Sequence, residues 1–377
     1  MRIVIDYTPA VHQAAGIGRH TRGLIAALAP LATDHQVTLV VYGRSQGADV
    51  EPPPNFQLRV VPLSNRWLSL GWHRLGIPLA AEWLSGPADL YHASDFVLPP
   101  LRQAQGILTV HDLSFLTVPD CAEASLRSYL TRVVPRSVAR ADHLLADSMS
   151  TKRDLMQLLD VPADSITVVY PGVEPRFRPV DDPVHLAQVR DRYAVGDGPF
   201  ILGVGTLEPR KNWSGLIRAW TRLRHETKLP HRLVIAGGRG WLYREIFDTA
   251  QASGLQEQIV FTGFVDDADL PALYSAAQAF ALPSRYEGFG IPVVEAMACG
   301  TPVVCADNSS LPEAAGDAAL LVDAADEAGL AAALQRLLED GGLRAERRER
   351  GLRQAKRFAW RSSAETLLAT YEQVGRG

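Results

Sequence analysis

Short apolar runs punctuate the chain, and most are continuously apolar instead of alternating with polar residues. In the first half they lie at 3–6, 37–42, 58–62, 90–92, 107–110, 143–146 and 167–170. A strand with one wet face alternates with period two, whereas a strand covered on both faces has no polar side to show. The runs therefore predict parallel strands with helices on both faces. Between them the spacing becomes helical, as where Ile17, Thr21, Leu24, Leu28 and Leu31 share one face.

The pattern restarts at 200–204, FILGV, a buried strand. A helix over 213–224 follows, then strands at 233–236, 259–262, 280–282 and 302–305. Between the two halves, segment 171–184 (PGVEPRFRPVDDPV) carries four prolines and a charge cluster, the composition of a domain boundary. Alternating β and α in both halves predicts two doubly wound α/β domains, 1–176 and 177–357. The tail departs from the pattern. Residues 343–357 form a strongly charged, solvated helix, and 358–377 an amphipathic one with Ala364, Leu367, Leu368, Tyr371 and Val374 on one side. No strand follows it, so it is expected to return to the first domain.

Composition narrows the classes. Of 377 residues, 47% are apolar and 21% charged, as in a globular protein with room for two cores. A formal net charge of −4 argues against a nucleic-acid binder, which needs a basic surplus or patch. Cys121, Cys299 and Cys305 show no metal or disulfide spacing, which fits a reducing compartment. The first residues, MRIVIDYTP, read as a strand and not as a leader, and no uncharged apolar run reaches the ~18 residues of a membrane span. The expectation is a cytoplasmic protein whose membrane contact, if it makes any, is peripheral at the inner face.

In doubly wound sheets ligands sit outside the carboxyl ends of the strands. Gly16 and Gly18 lie in such a loop, just before a helix start that favours an anion. His111 and Asp112 directly follow the strand at 107–110. Gly203 and Gly205 end the strand at 200–204, and Arg210 and Lys211 come next, before a helix capped near Asn212 or Ser214. Cations at the positive end of a helix are electrostatically misplaced unless an anion such as a diphosphate sits there. Asp267 and Asp269 spell the Asp-x-Asp of metal-dependent sugar transfer, but acids at a helix start are accounted for as caps. In SRYEGFGIPVVEAMACGTPVV, 284–304, Glu287 lies in a loop and Glu295 about one turn into a helix starting near Gly290. Two glycines flank Phe289 at the tip, where something must approach the backbone. The stretch 65–84 mixes Trp67, Trp72 and Trp83 with Arg66 and Arg74; it could meet a membrane surface, though tryptophans packed on the sheet are the plainer reading. Arg127, Arg132, Arg136 and Arg140 read as solvated surface.

The segment E-G-F-G-x-P-x-x-E-A-M-A-x-G-x-P-V-V resembles the signature of glycosyltransferase family 4, the retaining GT-B enzymes. GIGRH, TVHDL, GTLEPRKN, GFV and a final Trp-bearing helix agree in order, so the resemblance spans essentially the whole chain. It implies an α/β GT-B fold: two Rossmann-like domains facing across a cleft, the first for the acceptor and the second for a nucleoside-diphosphate sugar. It implies that Glu295 holds the ribose and Glu287 the transferred sugar. Gly288, Phe289, Gly290 and Ile291 line the donor; Lys211 and Arg210, with Gly205 beside them, take the diphosphate. His111 approaches the anomeric end, and Gly16 and Gly18 face donor phosphate and acceptor. No metal and no cofactor are implied. Partners are the nucleotide-sugar donor and a saccharide or lipid-linked acceptor, with no nucleic acid. One departure stands out: Thr206 occupies a position where many relatives carry Arg. The motifs look like mannosyltransferases of polysaccharide assembly, favouring GDP-mannose, with UDP- or dTDP-sugars open. The rivals are another GT-B enzyme, such as an epimerase or phosphorylase, and an idle nucleotide-sugar-binding paralogue.

Overall fold

A computed structural model describes the chain apart from residues 14, 15, 44–50, 65, 66, 69, 75 and 377, with backbone alone at 73 and 74. The arginines at 66 and 74, named above with the tryptophans, therefore lie outside the described side chains. The chain divides into two units. The first comprises Met1–Leu113, Ser128–Gly172 and Ala359–Gly377, and the second Ser114–Arg127 and Val173–Phe358.

The first unit is built on seven parallel strands: β1 (Arg2–Asp6), β2 (Gln36–Tyr42), β3 (Gln57–Val61), β4 (Leu90–Ala93), β5 (Gln105–Val110), β6 (His143–Ala146) and β7 (Ile166–Val168). Their order is β3-β2-β1-β4-β5-β6-β7. Ile3 pairs with Val37 on one side and Leu90 on the other, so connections run outward in both directions from β1 and β4. That reversal opens a crevice at the strands' carboxyl ends.

The final helix, Trp360–Val374, belongs to this unit and packs on Ile17–Leu28. Ala364, Leu367 and Tyr371 are fully buried with Leu24, Ile25 and Leu28. Each large apolar side chain buried this way contributes about 1.5–3 kcal/mol. The helix is thus held by the same apolar stripe that its sequence displays.

The second unit carries six parallel strands: β8 (Phe200–Val204), β9 (Arg232–Ala236), β10 (Ile259–Gly263), β11 (Ala279–Leu282), β12 (Val303–Ala306) and β13 (Leu320–Val322). The order is β10-β9-β8-β11-β12-β13, with the reversal between β8 and β11. The loops after β8 and β11, far apart in sequence, are thereby neighbours. β13 escaped the sequence reading because it is a three-residue edge strand with Leu321 turned to solvent.

Three local expectations change. Of the three tryptophans, only Trp72 is buried; its Nε1 donates to Leu79 O at 2.7 Å, and its ring meets Tyr42 edge-on. Trp67 and Trp83 are 70% and 60% exposed. Asp269 occupies the cap position of Leu270–Ala276 without a capping bond; its carboxylate instead accepts from Arg192 and Tyr193, and that of Asp267 accepts from Arg176. Asn212 does cap Trp213–Glu226, but in the left-handed conformation, with its side-chain amide donating to Pro283 O and Ala324 O. The four arginines 127, 132, 136 and 140 are exposed as expected. No helix among the described residues is long and apolar enough to cross a membrane.

Candidate active site

The reversal between β8 and β11 assembles a charge cluster in the second unit. After β8 the chain passes Gly205, whose N–H donates to Ala236 O, and enters a tight turn at Pro209–Lys211. After β11 it passes Ser284 and reaches Glu287. A backbone bond from Arg285 N to Arg210 O, 2.8 Å, ties the two loops together. Lys211 Nζ donates to Glu287 Oε1 at 2.7 Å, and Arg210 donates to Glu287 Oε2 at 2.9 Å. Ser284 Oγ adds a third donor at 2.6 Å. Arg210 also reaches Tyr286 O and Glu208 Oε1, and Glu208 is 2% exposed.

Burial alone would raise the pKa of Glu287. The charges of Lys211 and Arg210, then the hydrogen bonds from Lys211 and Ser284, overcome it and bring the group down to about 2. The carboxylate is therefore ionised at any working pH. The two cations that the sequence leaves without a partner at a helix start are balanced here by two buried carboxylates. Thr206 is exposed and leaves its position in this loop without a cation, while Arg210 sits inside the cluster.

The tip beyond Glu287 shows what can face a ligand. Phe289 is 4% exposed and packs edge-on against Phe358, so its ring belongs to the core and only its backbone is on offer. Gly290 sits at φ +95° and caps Ile291–Ala298; a Cβ there would lie 2.6 Å from Leu311 Cδ2. Left-handed backbone and close packing both demand glycine. Glu295 lies in the second turn, 1% exposed, and accepts from Tyr274 OH at 3.1 Å. It is too far along the helix to serve as a first-turn complement to the dipole.

In the first unit, His111 follows β5 and is buried. Its Nδ1 meets Asp147 Oδ2 at 2.8 Å, and its Nε2 donates to Ser94 O at 3.0 Å. Burial would lower its pKa, but Asp147's charge and hydrogen bond, then the charge of Asp95 and the bond to Ser94, raise it to about 9. His111 is thus an imidazolium with both N–H groups engaged, not a free base. Asp147 was missed by the sequence reading, although it ends β6 in the strand-end position where polar residues collect. His20 turns an edge toward His111 and places Nε2 3.6 Å from Asp147 Oδ1; burial lowers its pKa to about 4, so it stays neutral. These three residues offer ligand atoms within 4.8 Å of one another.

Gly16 caps Ile17–Leu28 at φ +54° and is exposed, with nothing among the described residues within 4 Å of a would-be Cβ. Gly18 is different: a Cβ there would fall 1.8 Å from Gln13 O, so packing requires a glycine there.

The His111 shift has a sign. A folded pKa raised from 6.5 to about 9 contributes stability that is fully present below pH 6.5 and lost as pH rises through 9. Thermal melting should therefore fall between pH 7 and 10, and His111→Gln should remove that part of the slope. Parallel curves for both proteins would contradict the pairing.

Residues 14–177 match the model "Glycosyltransferase Family 4" and residues 188–354 match "Glycosyl transferases group 1". The chain is 32% identical to O-antigen chain mannosyltransferase B of Escherichia coli, over 99% of this chain and 100% of that one. It is 33% identical to D-inositol 3-phosphate glycosyltransferase of Stackebrandtia nassauensis, over 77% of this chain and 66% of that one. Among solved structures, sucrose-phosphate synthase of Thermosynechococcus elongatus superposes with a TM-score of 0.80 at 22% identity, covering 99% of both chains. WaaG, a glycosyltransferase of lipopolysaccharide biosynthesis, gives 0.72 at 17%, covering 97% and 98%. Two parallel-sheet units, the charge cluster at the second sheet's reversal and a full-length relative agree: the chain belongs to glycosyltransferase family 4, an enzyme family of GT-B fold that transfers hexose.

Proposed function

We propose that this protein is a retaining, metal-independent mannosyltransferase that moves mannose from GDP-mannose to a saccharide or lipid-linked acceptor. The observation that carries the reading is the Glu287–Lys211–Arg210 cluster at the reversal point of the second sheet. Mannose is supported by the full-length Escherichia coli relative, an O-antigen chain mannosyltransferase. UDP-glucose is the rival donor, because a structural neighbour, Anabaena HepE, has been solved with it.

In this reading Glu295 holds the ribose and Glu287 the hydroxyls of the transferred sugar. The bond from the anomeric carbon to the phosphate oxygen breaks, placing positive charge on the sugar and negative charge on the departing diphosphate. Lys211 and Arg210 take up that negative charge, so they exchange part of their contact with Glu287 for phosphate oxygens. The acceptor oxygen bonds to the same face of the sugar, and its proton passes to the leaving phosphate. His111, with both nitrogens already donating, orients and does not abstract a proton. Cationic side chains and backbone N–H groups supply the charge stabilisation that a metal would otherwise give.

Peripheral membrane contact is the second part of the proposal. Val60, Leu63, Trp67, Ile77 and Trp83 are all at least 43% exposed within one stretch of the first unit. Exposed tryptophans of this kind suit the water–lipid interface.

Glu295→Ala should weaken GDP binding by calorimetry about 10- to 100-fold, the value of ~1.5–3 kcal/mol for a hydrogen bond to a charged group. Glu287→Ala should lower kcat by a similar factor while GDP affinity changes little. Normal turnover in both would refute the assignment. Transfer from GDP-mannose should survive EDTA; loss that Mn²⁺ restores would overturn the metal-independent part. In co-sedimentation with phosphatidylglycerol vesicles, Trp67→Ala/Trp83→Ala should release protein from the pellet, and no binding by the parent protein would exclude membrane contact.

A further inference from the structure

The loop after β12 runs beside the loop after β11, because Leu282 pairs with Cys305. Residues 308–310 of that loop grip Glu287 from behind. Glu287 N–H donates to Ser309 Oγ at 2.9 Å, and Ser310 Oγ donates to Glu287 O at 2.8 Å. Two consecutive serines therefore hold the peptide groups on either side of one Cα. The grip closes on itself. Ser309 Oγ donates to Asn308 Oδ1 at 3.0 Å, Asn308 Nδ2 donates to Ser284 O at 3.0 Å, and Ser284 Oγ donates to Glu287 Oε1. The ring of bonds runs from the backbone amide of Glu287 to its own carboxylate.

Two features mark this as more than loop packing. Ser309 adopts φ +46°, a left-handed conformation that an L-residue holds only where its surroundings impose it. Glycine would take it without strain, so the hydroxyl is what the position retains. Ser310 is completely buried, so water cannot replace its bond to Glu287 O.

We infer that Ser309 and Ser310, with Asn308, are positioning residues that set where the Glu287 carboxylate stands toward the sugar of the donor. The inference rests on the proposed role of Glu287 as the sugar-holding group. None of the three residues need touch the nucleotide for this to hold. Removing a hydroxyl lets the tip 287–290 drift, and a misplaced contact costs turnover far more than binding.

The test uses the intact enzyme with GDP-mannose as donor and GDP as the sugar-free probe. Ser310→Ala should lower kcat about tenfold, with the GDP dissociation constant unchanged within about twofold. Ser309→Gly separates the hydroxyl from the backbone. It relieves the left-handed strain as it removes the hydroxyl, so melting temperature should move by only a few degrees, yet kcat should still fall severalfold. If Glu287→Ala is impaired while Ser309→Gly and Ser310→Ala turn over like the parent protein, the positioning role is wrong. Loss of GDP affinity in step with kcat would overturn it too, indicating general damage to the second unit. If Glu287→Ala itself turns over normally, the sugar-holding reading fails first and this inference falls with it. UDP-glucose and UDP, run in parallel, keep the outcome independent of the donor base.

Discussion

The structure of the second unit turns on one buried electrostatic arrangement: Glu287 held by Lys211, Arg210 and Ser284, with Glu208 on the far side of Arg210. Burying a carboxylate is costly unless cations and hydrogen bonds compensate, and breaking one partner leaves the other uncompensated. Here the compensation comes from two loops that meet only because the sheet order reverses between β8 and β11. The reversal makes the cluster, and the cluster in turn locks the loops. In the proposed reading a diphosphate finds both cations already oriented and shares them with Glu287.

The first unit solves a parallel problem with a single charge pair. Asp147 is buried at the end of β6 and is stabilised by a protonated His111 at the end of β5. Ser94 O, just beyond β4, fixes the other nitrogen. Three adjacent strand ends thus hold one imidazole in a single orientation. His20 stays neutral beside them because burial outweighs the attraction of Asp147, and the charge on His111 opposes a second one. A histidine in this state contributes position and charge, and its chemistry differs from that of a general base.

Much of this was legible in the residues. Continuous apolar runs located twelve strands to within one or two residues, and the stripe of Ala364, Leu367 and Tyr371 announced a helix that must find a partner. Arg210 and Lys211 stood out because cations at a helix start made poor sense in isolation, and Glu287 and Glu295 through the segment 284–304 that carries the family resemblance. Less was visible where a side chain's meaning depends on a distant partner. Asp147, Glu208, Ser309 and Ser310 carry no local pattern, and Trp67 and Trp83 looked like core residues from spacing alone. Gly18 has a packing reason in the closeness of Gln13 O, which no local pattern announced.

The sequence by itself determined the local elements, because hydrophobic period and turn chemistry act over a few residues and need no knowledge of the rest of the chain. It also singled out the segment 284–304 and the family resemblance that segment carries. Tertiary structure alone decided the pairings: which loops follow adjacent strands, which carboxylate meets which cation, and which proton a histidine keeps. Those outcomes depend on strand order and burial, and the energy of a buried charge is set by neighbours some 76 residues away, as Lys211 is from Glu287.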